Sequence, residues 1–335
     1  MSALDLFAFD VLCRPGSRVR LRARLERHGL FRRPLAGRPV LFRSLPAPGS
    51  AGSPHDLGRV VTDRWGCAEL SFLPPNGGHH FFELESPGPG REPTVWTTGL
   101  IACRDTSRPA AVIDIDGTLT RESTTLRTPA ERSEIKDEHA LAATAALAGG
   151  YDLLYLTGRR RQQVNATRDW LIRFGLPVGP LFLQMLHFPV PGFVSAMWKT
   201  RFLSALRARH PNLTVGIGNT GGDASAYAAN GMLPVIFSDR PLNALVVRTW
   251  DQVRELLSGD RVPLSAAQTL RLRNGAVMLE IRPGGDVCTV VMTGLGLPDW
   301  RPPPDRWPVL RAALLDRLMS LRTRSGGEPV PAGTR

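Results

Sequence analysis

Two aspartates spaced two apart, Asp114 and Asp116, close the apolar run Ala111–Ile115 and are followed at once by Gly117-Thr118-Leu119-Thr120. A carboxylate at such a place can act as a nucleophile and split one difficult displacement into two easier ones. A second carboxyl two residues on can shuttle a proton to a leaving group and from water. The Gly after the pair and the hydrophobic run before it argue against a merely solvated acidic loop. Three later stretches carry matching chemistry. Leu153–Leu156 ends in Thr157-Gly158-Arg159, Lys199 precedes a helical stretch, and Gly216-Ile217-Gly218 runs into the oxygen-rich turn Asn219–Asp223. Such turns suit magnesium, which takes a few carboxylates plus water and phosphate oxygens. Taken singly, the lesser alternatives are a helix N-cap for Thr157 and a surface lysine for Lys199.

These residues need elements to position them. From about residue 106 the sequence alternates apolar runs with helical stretches. The strands expected are Ala111–Ile115, Leu153–Thr157, Pro180–Leu183, Thr214–Ile217 and Pro234–Phe237. Helices are expected over Asp137–Ala148, Gln162–Phe174, Lys199–Arg209, Ala224–Asn230 and Thr249–Leu257. This order predicts an α/β domain over residues 106–258, a Rossmann-like parallel sheet with helices on both faces, and ligands bind such sheets outside the carboxyl ends of their strands. Every candidate group lies at such an end.

Residues 1–105 read differently. Val19, Leu21, Ala23 and Leu25 alternate with Arg18, Arg20, Arg22 and Arg24, a strand with one apolar and one basic face. Further short strands are expected at 39–42, 60–62, 68–72 and 80–84, with a loop over Pro46–Gly58 and turns at 63–66 and 74–78, which predicts an all-β sandwich. The pattern and its Thr62-Asp63-Arg64-Trp65-Gly66 turn resemble bacterial immunoglobulin-like modules. Beyond the α/β domain, residues 259–324 read as a small α+β piece. Its strand-like runs are 269–273, 276–282 and 287–293, its hairpin signal is Asn274-Gly275, and a Pro-rich connector leads to a basic helix over 309–323. The tail 325–335 reads as disordered.

The first acidic motif resembles that of the haloacid dehalogenase superfamily of phosphatases, DxDGT. The resemblance implies that Asp114 attacks phosphorus, that Asp116 serves as acid and then base, and that Thr157 binds the transferring phosphoryl group. It also implies that Lys199 neutralises charge and that Mg2+ is held by Asp114, Asp116, Asn219 and Asp223. Thr118, Gly158 and Arg159 are then expected to contact substrate. The fourth motif reads GNxxxD where the superfamily often has GDxxxD. A narrower resemblance, to the lipin-type phosphatidate phosphatase domain, covers roughly Ala110–Phe237. It rests on DIDGTLTRES, LLYLTGR, DWLIRFGLPVGPLFL and GIGNTGGDASAYAANGM. Gly222 departs from it, since lipins usually carry threonine there, and no amphipathic N-terminal membrane helix is evident. Between the motifs there is no room for a cap domain, and a capless site suits a substrate whose bulk stays outside. The resemblance implies a phosphate monoester substrate, with a lipid phosphate ahead of a sugar phosphate or phosphoprotein. A non-catalytic phosphatidate-binding module is the alternative from another class.

Composition sets the surroundings. A net charge of +12 favours anionic partners, including peripheral contact with an anionic membrane, although no nucleic-acid motif is present. Of the 42 basic residues only Lys136 and Lys199 are lysines, so a solvated arginine-rich surface is the plainer reading. Arg159-Arg160-Arg161 reads as a head-group contact or as a solvated helix start. Cys13, Cys67, Cys103 and Cys288 lack metal spacing and read as free thiols. His79-His80 and Trp170 read as structural, and Trp198 either as packing or as a lining of the site. No signal peptide and no apolar run of spanning length is evident, so a cytoplasmic location is expected. Neither a Walker loop nor a dinucleotide fingerprint is present, and oligomeric state is not legible.

Overall fold

In the computed structural model the described residues are 4–28, 32–47, 50–90, 92–121, 133–184, 192–239, 244–258, 270–274, 277–284 and 287–293. The chain divides into two units. The first comprises Met1–Thr106, Arg159–Arg173 and Val178–Pro189, and the second comprises Ser107–Gly158, Phe174–Pro177 and Val190–Arg335.

The first unit holds two sheets. One centres on β3 (Val19–Arg27), which pairs antiparallel with β1 (Leu4–Phe9), β4 (Arg33–Pro34) and β7 (Cys67–Phe72). The other runs β2 (Val11–Cys13), β9 (Val95–Cys103), β8 (Gly78–Ser86), β5 (Pro39–Leu45), β6 (His55–Val61). The alternation in β3 acts as its period demands, with Val19, Leu21, Ala23 and Leu25 buried and Arg20 and Arg22 exposed. Those buried side chains share a core with Phe42, Phe82, Leu84 and Ile101 of the second sheet. The loop expected over Pro46–Gly58 is shorter, because pairing resumes at Ser44↔His55. One pairing, β2 with β9, is parallel. At the turn after β6, Asp63 Oδ1 accepts from the amides of Trp65 and Cys67 at 2.8 and 2.9 Å.

Helix α2 (Val164–Arg173) and strand β12 (Leu181–Gln184) group with this unit. Polar anchors explain why. Arg168 Nη2 donates to Asp10 Oδ1 at 2.6 Å, Thr97 Oγ1 to Asn165 Oδ1 at 2.7 Å, and the Leu181 amide to Asp10 Oδ2 at 2.8 Å. Just before the helix, Arg161 is buried against Glu26 at 2.5 Å.

The second unit is mixed α/β with a parallel sheet. Within it the order is β11 (Asp152–Arg160, leaving the unit after Gly158), β10 (Ala110–Ile113), β13 (Leu213–Gly218), β14 (Leu233–Phe237), β15 (Leu245–Val247). Ile113 lies opposite Tyr155 on one side and Ile217 on the other. β10, β13 and β14 are buried at every residue, as strands covered on both faces must be. Helices α1 (His139–Gly150), α3 (Gly192–Arg207), α4 (Gly221–Ala229) and α5 (Trp250–Ser258) complete it, α1 packing on α5 and α3 on α4. Helix α3 begins well ahead of the expected start at Lys199. No breaker interrupts Phe193–Trp198, so helix propagates from Gly192 and Lys199 falls inside it.

A three-stranded antiparallel sheet follows, β16 (Leu270–Asn274), β17 (Val277–Gly284) and β18 (Val287–Thr293), with Asn274 opposite Val277. Gly275 of the expected turn, the connector over 298–308, the helix over 309–323 and the tail from 325 lie outside the described residues.

Candidate active site

The site assembles at the carboxyl ends of β10, β11 and β13, around an acidic loop that the next strand fixes from below. The Asp114 amide donates to the Ile217 carbonyl at 2.8 Å, so the residue continues the sheet for one more step. The chain then wraps on the Ile115 carbonyl, which accepts from the amides of Thr118, Leu119 and Thr120. This turn needs Gly117, which has φ 74°. A Cβ there would also lie 2.1 Å from Asn219 Nδ2.

Lys199 enters from the middle of α3 with its side chain 6% exposed. Its Nζ donates to Asp114 Oδ1 at 2.7 Å and to Asp223 Oδ1 at 2.6 Å. Thr118 Oγ1 lies 3.3 Å from Asp114 Oδ2, and Thr157 Oγ1 donates to Asp116 Oδ2 at 3.0 Å. Asp223 is held from its other side. Its Oδ2 accepts from Thr220 Oγ1 at 2.8 Å and from the amides of Thr220 and Asn219, and its own amide returns to Thr220 Oγ1 at 3.1 Å. This reciprocal capping box opens α4.

Charges in this cluster do not balance. One buried ammonium faces two buried carboxylates, Asp114 and Asp223. Burial pushes both carboxyls up. Lys199 and the Thr220 and Asn219 donors hold Asp223 below the usual carboxylate range nonetheless. Asp114 has fewer donors, and burial, with Asp223 and Asp116 adding to it, raises its pKa to about 7 against the pull of Lys199. Burial alone would depress Lys199, yet the two carboxylates hold it above its ordinary value.

A small hard cation fits this chemistry. Asn219 Oδ1 is buried with no hydrogen-bond donor. It lies in the turn beside the under-compensated acid, and a buried amide oxygen without a donor is costly unless something electropositive meets it. Among the described residues no group of three or more His, Cys, Asp or Glu is gathered as a metal cage. The donor set on offer is therefore mixed, and magnesium accepts carboxylate, amide and backbone oxygens alongside water.

The structure thus brings Asp114, Asp116, Thr118, Thr157, Lys199, Asn219 and Asp223 to one sheet end. Gly158 lies where α3 passes closely, since a Cβ there would lie 2.8 Å from Ser195 Oγ. Arg159, expected to contact substrate, has partners within the protein. Its guanidinium is buried, donates to Thr167 Oγ1 at 3.1 Å and lies over the Trp170 ring at 5.9 Å. Arg161 is likewise paired with Glu26. His79, its pKa lowered to about 4 by burial and then Arg104, packs against that arginine at 2.8 Å. Trp198 stacks on Phe202 at 5.5 Å. Sequence reading passed over Thr220, whose Thr-Gly-Gly-Asp spacing is a legible capping box. It also passed over Trp250, whose Nε1 donates to the Thr118 carbonyl at 3.1 Å from more than a hundred residues away.

Residues 111–237 match the family described as the PITM 1-3 LNS2 domain. That range nearly coincides with Ala110–Phe237, the stretch of the lipin-type resemblance, and the match supports the broader resemblance to the haloacid dehalogenase superfamily. No curated protein matches the chain. Among solved structures, similarity is found to a chain of the Pnkp1/Rnl/Hen1 complex, at 17% identity over 41% of this chain and TM-score 0.32. This chain spans only 48% of that one. It is also found to the D,D-heptose 1.7-bisphosphate phosphatase of B. bronchiseptica complexed with magnesium and phosphate. There the identity is 16%, the coverage 44% of this chain and 96% of that chain, and the TM-score 0.33.

Proposed function

We propose that the second unit is a magnesium-dependent phosphomonoesterase acting through an aspartyl phosphate, with a lipid phosphate such as phosphatidate as substrate. The observation that carries this is the buried Lys199 bridging Asp114 and Asp223, with Asp116 held beside them by Thr157. The LNS2 match supports a phosphatase or a lipid-binding role, and the complete acidic set favours the former.

In this reading an Asp114 oxygen bonds to phosphorus as the phosphorus–alkoxide bond breaks. Asp116, kept in place by Thr157, gives its proton to the departing alkoxide. Asp116 then takes a proton from a water whose oxygen attacks the same phosphorus, and the bond to Asp114 breaks, restoring the carboxylate and releasing phosphate. Lys199 offsets the negative charge that gathers on the phosphoryl oxygens. Asp114, the Asp116 carbonyl, Asn219 and Asp223 would hold Mg2+, which supplies further charge neutralisation when bound.

Two observations support a lipid over a soluble ester. The motifs leave no room for a cap domain between them. Helix α3, which carries Lys199, also exposes Phe193 and Met197, at 68% and 51%, on the turns before it. Apolar side chains one turn apart on an exposed helix suit a lipid surface. Among the described residues no helix is long and apolar enough to cross a membrane. The test is phosphate release from phosphatidate in vesicles and from soluble phosphate esters, with magnesium and with EDTA. Magnesium-dependent release favouring phosphatidate is expected. Release only from soluble esters would remove the lipid assignment, and none from any ester would leave the binding-module alternative.

A further inference from the structure

The chain uses arginine almost wherever it needs a cation, with lysine only at 136 and 199. Lys199 is buried in the site. Lys136 is half-buried, and no role in the proposed reaction accounts for it. Its Nζ donates to the Gly117 carbonyl at 2.9 Å and lies over the Phe237 ring, 4.3 Å from the centroid. Its backbone is tied to the same loop, since the Lys136 amide donates to the Leu119 carbonyl at 2.7 Å and Thr120 bridges Ile135. The neighbouring carbonyl, that of Thr118, accepts from Trp250 Nε1, whose ring lies tilted on Phe237 at 5.1 Å. The carbonyls of Gly117 and Thr118 are thus clasped by one ammonium and one indole braced on the same phenyl ring.

We infer that Lys136 is a positioning residue, whose compact ammonium holds the Gly117 turn in the conformation that aims Asp116 and Thr118 into the site. The turn is worth holding. Gly117 adopts a left-handed conformation, and the Asp116 carboxyl and the Thr118 hydroxyl leave the chain on either side of it. A point charge on a flexible stem can reach a carbonyl beneath an aromatic face, whereas a planar guanidinium presents a wider fork. That explains lysine here in a chain otherwise given to arginine. The inference rests on the phosphatase reading for its kinetic consequence and on the loop geometry alone for its structural one.

The experiment compares the full-length chain with Lys136→Met and Lys136→Arg by two readouts. The first is kcat and KM for p-nitrophenyl phosphate with magnesium. The second is amide hydrogen exchange across residues 114–121. Loss of position rather than binding should lower kcat about ten- to a hundredfold in Lys136→Met with KM within about threefold, and Lys136→Arg should not restore it. Exchange in the turn should quicken in both variants while exchange in β13 and β14 stays as it was. A kcat within threefold of the parent for either variant, or unchanged exchange in the turn, overturns the inference. Should the parent release no phosphate from any ester while the turn still loosens in both variants, the clasp stands and the reaction proposed above falls.

Discussion

Asp114 has too little positive charge around it, and its properties should follow from that. In the fold its pKa is raised to about 7, chiefly by burial, against an ordinary value of about 4 when unfolded. Between those values the native state binds the proton more tightly than the unfolded chain does, so this residue's contribution to stability falls as pH rises from about 4 to about 7. Asp223 runs the other way: its folded pKa is depressed, and its contribution is lost as pH falls through that lowered value. Urea unfolding in metal-free buffer should therefore show the parent losing stability relative to Asp114→Asn between about pH 4 and about pH 7, and a pH-independent difference would refute the assignment. In the same variant turnover should fall at least about a thousandfold, since the amide cannot replace the nucleophile, with circular dichroism unchanged. Substantial phosphate release from folded Asp114→Asn would remove Asp114 from the mechanism. The gathering of the acidic residues at one sheet end was legible in the sequence because it depends on local spacing at strand ends. Arg159 was not, because its burial against Thr167 and Trp170 is decided by the packing of a helix and not by its neighbours in sequence.

Elements carry these residues, and the N-terminus of α4 does so most directly. Thr220 caps the helix and binds the Asp223 carboxylate in one reciprocal arrangement. Thr220→Ala should destabilise the second unit by about 0.5–2 kcal/mol and also lower kcat, because Asp223 loses a donor and Lys199 must then share its charge differently. Thermal melting together with kcat checks this, and a stability loss with full activity would separate the cap from the site. The parallel strands were legible because each is a short apolar run bounded by turn residues. Others were not. β9 was not among the expected strands; it carries Gly99 mid-strand, where a glycine weakens the strand signal, and a Cβ there would strike the Phe82 ring at 2.3 Å, so the glycine is what lets the strand pack. β15 has three residues, too few to show a period. The start of α3 was misplaced because Phe193–Trp198 is apolar almost throughout and gives no polar face to count.

Taken whole, the molecule ties part of its positive charge into ion pairs of its own. Arg24 and Arg161 converge on Glu26, Arg168 on Asp10, Arg43 on Asp56, Glu83 and Glu85, and Arg20 and Arg22 reach Glu69. These pairs are already cancelled in the net charge of +12, so a positive surplus remains for an anionic surface, and attraction screened over roughly 8–10 Å should be supplemented by apolar contact. Co-sedimentation should show more binding to phosphatidate-containing than to neutral vesicles, declining with salt. In Phe193→Ser/Met197→Ser the portion that survives high salt should disappear, and equal binding by parent and variant would dismiss α3 as the contact. The scarcity of lysine has a further use. An amine-directed reagent finds only two side chains on this chain, one buried on Asp114 and one half-buried on the Gly117 carbonyl. Acylation at either position would time-stamp an opening of the structure around the Gly117 turn, giving the protein a built-in reporter of its own breathing that needs no engineered label.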